Sequence, residues 1–217
     1  ETASGSTAAL VIGIFGVMAI TSEYTTSAVQ SSLTVNPRRG MFYATKSVAT
    51  ALFALVAGIV GILLAAGVLW LFTRGHDITA LTSDQSRIIP VTLIGFPLTI
   101  VLVSLMAQGL GGMTRSTVGG VCALIVLFMV LSSVLSITSM AINQVEWLDT
   151  LSYLTPDTAM NHFLGAGIES SSQSTLAAAV KPNYWIPDWW QSGLILLAWA
   201  AAAWAGGLIV TKKADIK

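Results

Sequence analysis

Charge is what this sequence has least of. Only 9% of its 217 residues are Asp, Glu, Lys or Arg, 54% are hydrophobic, and the mean hydropathy is +0.79. A soluble domain carries about 25% charged residues. So few cannot cover a water-facing globule, and the composition reads as an integral membrane protein. The net charge is zero, so its placement rather than its sum is informative, and no nucleic-acid partner is expected. The single cysteine, Cys122, excludes an internal disulfide or a CxxC pair; within its apolar run it reads as a small buried hydrophobe. The two histidines, His76 and His162, stand in separate polar segments and supply too few ligands for a metal centre. No glycine precedes a lysine, so the chain has no phosphate-cradling G-x-x-x-x-G-K-[ST] loop. It carries no catalytic motif of its own.

Long apolar runs are what it does have. A spanning helix needs about 20 mostly apolar residues, and five stretches qualify: Ser4–Ser22, Ser47–Phe72, Ile88–Leu110 with Pro90 and Pro97, Thr117–Ile142 and Gln191–Thr211. They lack the two-residue alternation of barrel strands, so the expected fold is an all-α polytopic bundle forming one transmembrane domain over residues 1–217. None of the five has an ionisable residue at mid-depth, which argues against a proton- or ion-coupled carrier. Gly58, Gly61, Ala65, Gly67, Gly119, Gly120, Gly206 and Gly207 are small enough to let helix backbones pack closely in lipid.

Orientation follows from Lys and Arg, which are enriched on the cytoplasmic side. Placing residues 22–46 in the cytoplasm gathers Arg38, Arg39, Lys46, Arg115, Lys212, Lys213 and Lys217 there. The other side keeps Arg74, Arg87 and Lys181, with Asp77, Asp84, Glu146, Asp149, Asp157, Glu169 and Asp188. Trp70, Trp147, Trp185, Trp189 and Trp190 also fall near that outer interface, where tryptophan concentrates. The C-terminus is therefore expected in the cytoplasm. Five spans then start outside, and a sixth, with the true N-terminus inside, is expected before Glu1.

Residues 143–190 are too polar to cross and too apolar for a plain loop. Thr155-Pro156-Asp157 reads as a helix start, with a hydroxyl cap, proline in the first turn and an acid at the positive end. Met160, Phe163, Leu164 and Ile168 follow at helical spacing, and a second short run covers Leu176–Val180. One or two short helices lying in or dipping into the outer leaflet fit these runs. An external gate, with Pro156, Met160, Phe163 and Leu164 at its centre, and an interfacial spacer are both open readings.

The polar island Ser22–Lys46 interrupts the apolar pattern. The first span should continue as a helix to about Thr34, with Val29 and Leu33 one helical step apart. Asn36 then caps a second helix with Pro37 at its first position, and Arg38, Arg39 and Lys46 sit at headgroup level, where anionic lipid attracts them. A simple connector would need far fewer residues, which favours a docking surface.

The stretch Glu23-Tyr24-Thr25-Thr26, followed by Leu33, Pro37-Arg38-Arg39 and Lys46, resembles the E-Y-x-[ST]-G…L…P-x-R…A-K pattern of permease subunits of ABC-2-type transporters, particularly small actinobacterial-type exporters. Thr114-Arg115-Ser116-Thr117 looks like an inner turn of that family, and Pro187–Trp190, Ala198-Trp199 and the Lys-Lys-Ala-Asp tail look like its last span and terminus. Ser27 stands where the pattern has glycine. The resemblance implies a permease with Glu23, Tyr24, Thr25, Thr26, Val29, Leu33, Pro37, Arg38 and Arg39 forming a coupling helix. That helix would dock a separate P-loop ATPase, which holds the ATP and magnesium. A second permease would complete the unit, and paired re-entrant helices would close the outer gate. A stand-alone intramembrane enzyme built on His162, and a non-transporting accessory subunit, are the alternatives.

Overall fold

The computed structural model describes residues 2–25, 39–74, 88–142, 146–166 and 185–213. They form helices α1 (Thr2–Thr25), α2 (Arg39–Thr73), α3 (Ile88–Thr114), α4 (Thr117–Ile125), a π-helical segment Val126–Val130, α5 (Leu131–Ala141), α6 (Glu146–Tyr153), α7 (Pro156–Leu164) and α8 (Trp189–Lys213). Among the described residues there is no strand. Four helical stretches are long and apolar enough to cross a membrane: Gly40–Thr73, Ile89–Thr114, Thr117–Ser139 and Trp189–Lys213, with mean hydropathies of 2.7, 2.2, 2.6 and 2.0. The chain is thus an α-helical membrane protein. In α1 the described apolar run, Thr7–Ser22, is shorter.

Helix α3 is the axis of the bundle, in contact with α1, α2, α4, α7 and α8. Val103, Met106 and Ala107 on it are fully buried. Small residues set the close approaches. A Cβ on Gly58 of α2 would lie 2.8 Å from the Pro97 Cα of α3, and one on Gly16 of α1 would lie 2.5 Å from the Ser104 carbonyl oxygen. Gly109 packs on the α8 backbone at Ala203, and Gly120 of α4 packs on Val17 and Gly111. Pro97 is accommodated because its missing N–H costs one helix hydrogen bond where Gly58 leaves room for its ring. Not every glycine expected to pack does so. Among the described residues nothing lies within 4 Å of a notional Cβ on Gly67, and Ala65 is exposed.

Four hydroxyl groups inside the bundle are satisfied by the carbonyl one turn earlier: Thr21 donates to Val17, Ser47 to Tyr43, Thr50 to Lys46 and Thr211 to Gly207, at 2.9, 2.9, 2.9 and 2.7 Å. Such back-bonding lets Ser and Thr sit within helices away from water. Between α3 and α4 the chain turns tightly at Arg115, whose φ of 52° lies in the left-handed region. Ser116 then caps α4, its hydroxyl accepting from the Gly119 N–H at 3.3 Å. At the start of α8 the Asp188 N–H donates to the Gln191 side chain at 2.9 Å, and the Asp188 carbonyl accepts from the Ser192 N–H at 2.9 Å. That places a capping-box glutamine at the third helical position.

The pairings fix the directions. Thr21 meets Thr117, Tyr43 and Gly112 meet Gly207, and Pro97 meets Gly58. Helices α1, α3 and α8 therefore run toward one end, and α2 and α4–α5 run away from it.

Candidate functional site

The first end of the bundle is basic. It collects the start of α2, the α3–α4 turn and the last turn of α8, and with them Arg39, Lys46, Arg115, Lys212 and Lys213. The Lys212 side chain leans over α2, its Nζ 3.6 Å from where a Gly40 Cβ would be. Arg115 donates to the Val210 carbonyl of α8 at 3.5 Å, and the Thr117 hydroxyl donates to that of Thr21 at 2.8 Å. Of the residues expected to form the coupling surface, Glu23, Tyr24 and Thr25 lie in the last turn of α1 and Arg39 opens α2. Thr26, Val29, Leu33, Pro37 and Arg38, with the Asn36 cap, lie outside the described residues. Helix α2 runs unbroken from this basic level through the apolar stretch, a length of about 52 Å at 1.5 Å per residue.

The opposite end is built around a helical hairpin, α6 and α7. Its turn is buried within the bundle. The Trp199 indole, nearly three turns into α8, donates to the Leu154 carbonyl at 2.8 Å. Ser132 of α5 donates to the buried Thr155 hydroxyl at 3.2 Å. Thr155 begins α7 with extended backbone angles and Pro156 follows at the first position, as the sequence predicts. The hydroxyl plays a different part from the one expected. It makes no side-chain cap and donates to the Ser152 carbonyl at 2.8 Å, tying α7 back to the end of α6.

All four expected gate residues lie on α7. Pro156 and Met160 are buried, and Phe163 and Leu164 are half-buried. The Phe163 ring fills the space left by Gly95 of α3 and Gly193 of α8, each with a notional Cβ 3.0 Å from it, and stacks on Trp189 at 6.3 Å. The Leu164 carbonyl accepts from Thr92 at 3.4 Å. Helix α7 is capped by Gly165, and the residue with positive φ is Ala166 at 52°. The partner of α7 in the hairpin is Glu146–Tyr153, which sequence reasoning did not pick out; Leu176–Val180 lies outside the described residues. The signal for α6 is weak because its eight residues average both polar and apolar character. Asp149 on it accepts a short hydrogen bond from Ser139 of α5.

His162 lies on α7 with its Nδ1 3.3 Å from the Ser192 hydroxyl and its ring edge-on to Tyr153 at 5.9 Å. Ser192 is fully buried and also donates to the Asp188 carbonyl at 3.2 Å. Which partner donates in the His162–Ser192 pair is set by the imidazole tautomer.

Trp70, Trp147, Trp185 and Trp190 are exposed at this end, with the Arg74 guanidinium 3.7 Å over the Trp70 ring. The described acids with placed side chains, Asp149, Asp157 and Asp188, stand there too. Cys122 differs from expectation: it is exposed on the outer face of α4, where an apolar thiol meets lipid as readily as core.

Two grooves flank α3. One of about 450 Å³ lies between α1, α2 and α3, against Thr7, Val11, Gly58, Gly61, Phe96 and Ile100. The other, about 400 Å³, lies between α2, α3 and α8. Within the axis helix two polar side chains have no hydrogen-bond partner among the described residues: the Thr99 hydroxyl and both amide atoms of Gln108, which are 1% and 0% exposed. Sequence reading did not single them out.

No family model, curated protein or solved structure matches the chain.

Proposed function

We propose that this chain is the permease subunit of an ATP-driven transporter of the ABC-2 type, an exporter, working with a separate P-loop ATPase and a second permease. The observation that carries the reading is the pairing of a basic end with a helical hairpin packed into the other end, joined by one axis helix. A permease moved by an external motor needs a surface to receive force and a closure to release. Residues 22–46 would supply the first and α6–α7 the second.

In this reading α1 is a fifth span and continues into a coupling segment that packs on the ATPase. Glu23 pairs with a basic group on the motor or at the bundle rim, and Arg38 and Arg39 meet acidic groups or lipid phosphate. Helix α2 rises from the same level, so a push there is passed along α2 and, through the Gly58–Pro97 contact, to α3. The basic end and the C-terminus face the cytoplasm of a cell membrane, in keeping with the preference of Lys and Arg for that side. Nucleotide and magnesium bind on the motor subunit, and this chain acts by position alone.

Thr99 and Gln108 support a bundle with two states. A buried amide without partners costs about 1–3 kcal/mol. A second arrangement of α3 that supplies partners would recover that cost, which is what an alternating-access cycle requires of its axis. The test is Mg-ATP hydrolysis by the purified assembly of motor and permease. Glu23→Lys is expected to lower permease-dependent ATP turnover several-fold while the isolated motor is unaffected. Unchanged turnover would remove the coupling role.

A further inference from the structure

We propose that the groove between α2 and α8 holds one acyl chain of an anionic membrane phospholipid, with the headgroup phosphate at Lys212. The groove is lined by Ala44, Ser47, Ala51, Leu105, Leu197 and Trp204, and its volume is about 400 Å³. It is almost wholly apolar. Small side chains on both helices make it a cleft rather than a convex surface, so a chain inside it is touched on three sides, and dispersion gains scale with the number of such contacts. Trp204 forms a fixed wall, its indole N–H donating to the Ser47 hydroxyl at 2.7 Å while Ser47 donates to the Tyr43 carbonyl at 2.9 Å. No indole or hydroxyl donor is thereby left turned into the cleft.

Length and charge select the occupant. Along α2 the cleft runs from Ala44 to Ala51, about 10 Å. Lys212 leans across from α8 over Gly40, one turn before Ala44 and exposed to the headgroup layer. The path from that level to Ala51 is therefore about 16 Å, close to one leaflet, half of a hydrocarbon core about 30 Å thick. A phospholipid brings its own phosphate to the Lys212 level and its own chain to the Ala51 level. The proposal rests on membrane placement alone and not on the transporter reading.

The test is native mass spectrometry of the full chain released from detergent after exposure to phosphatidylglycerol, to phosphatidylcholine with the same acyl chains, or to inorganic phosphate. Phosphatidylglycerol should be retained about five-fold more than phosphatidylcholine, the preference one basic residue gives at a membrane surface, and phosphate alone should leave no adduct. Lys212→Gln should bring the two lipids to near equality, and Ala201→Phe, which fills the cleft from its α8 wall, should lower retention of both. A phosphatidylglycerol carrying a photoreactive group on its acyl chain, used on the unaltered chain, should label peptides within residues 41–51 and 196–204. Labelling elsewhere, equal retention of the two lipids, or indifference to Lys212→Gln overturns the proposal. So does a phosphate adduct without chain labelling, which would mark an anion site only, or a cross-linked pair of chains that excludes lipid from these peptides.

Discussion

The Trp199 indole donates to the carbonyl of Leu154 at 2.8 Å, which fastens the α6–α7 turn to the middle third of α8. That carbonyl sits at a helix end, where the last carbonyl groups lack intrahelical partners. In an apolar surround an unpaired carbonyl is costly. This bond holds the hairpin in the bundle together with the Ser132–Thr155 and Ser139–Asp149 bonds and the packing of Phe163 against Gly95 and Gly193.

Trp199→Phe keeps the ring and removes the donor. The change should destabilise the bundle by about 1 kcal/mol. Amide hydrogen exchange should rise first in residues 150–160, with α8 little changed. Uniform loss of protection would mean that the hairpin is not an independently anchored unit.

Gly207 and Gly67 should respond in opposite ways to the same substitution. A Cβ on Gly207 would lie 2.5 Å from the Tyr43 hydroxyl oxygen and 2.7 Å from the Gly109 carbonyl oxygen, so Gly207→Ala should cost about 1–3 kcal/mol through overpacking. Among the described residues nothing lies within 4 Å of a Cβ on Gly67, and Gly67→Ala should gain up to about 1 kcal/mol in helix stability. Thermal unfolding in detergent reads both. Equal effects would mean that the helices are not packed in this register.

Gln108→Met replaces an amide that lacks partners with an apolar side chain of similar length. Removing the desolvated amide should raise stability by about 1–3 kcal/mol. If Gln108 finds partners in a second state of the cycle, the same variant should slow transport or coupled ATP turnover. A variant that is destabilised, or more active, contradicts this account of the axis helix.

His162→Ala should leave function largely intact and cost about 0.5–1.5 kcal/mol of stability, the net worth of one hydrogen bond. Ser192→Ala should behave alike, and the double variant should cost less than the sum, as expected for partners in one bond. Abolished function in either single variant would favour the enzyme reading over the transport one.

The membrane class, the apolar stretches that become α2 to α5 and α8, and the start of α7 were legible in the residues. Each depends on local signals: apolar length, proline at the first helical turn, or the clustering of Arg39, Lys46 and Lys212 against Asp149 and Asp188. Helix α6 was not legible, since its place comes from Trp199 and Ser139, which lie in other helices. The interruption of the Thr117–Ser139 stretch by Val126–Val130 left no trace either, because π geometry within an apolar run changes register but not composition. The packing glycines could be named but not sorted. Gly207 and Gly67 look alike until a neighbouring backbone is placed beside one of them. Gln108 was missed because an uncharged residue in an apolar run hardly alters its hydropathy.

The central claim is that this chain serves a nucleotide-driven motor. The most direct measurement is affinity purification of the full chain from its own membrane under mild detergent, with sequencing of what remains bound and an assay of Mg-ATP hydrolysis. The account predicts a protein with a G-x-x-x-x-G-K-[ST] loop in fixed ratio to this chain, hydrolysing ATP and released by Glu23→Lys. A chain that purifies with no such protein, or keeps it equally well with Lys in place of Glu23, would contradict the account.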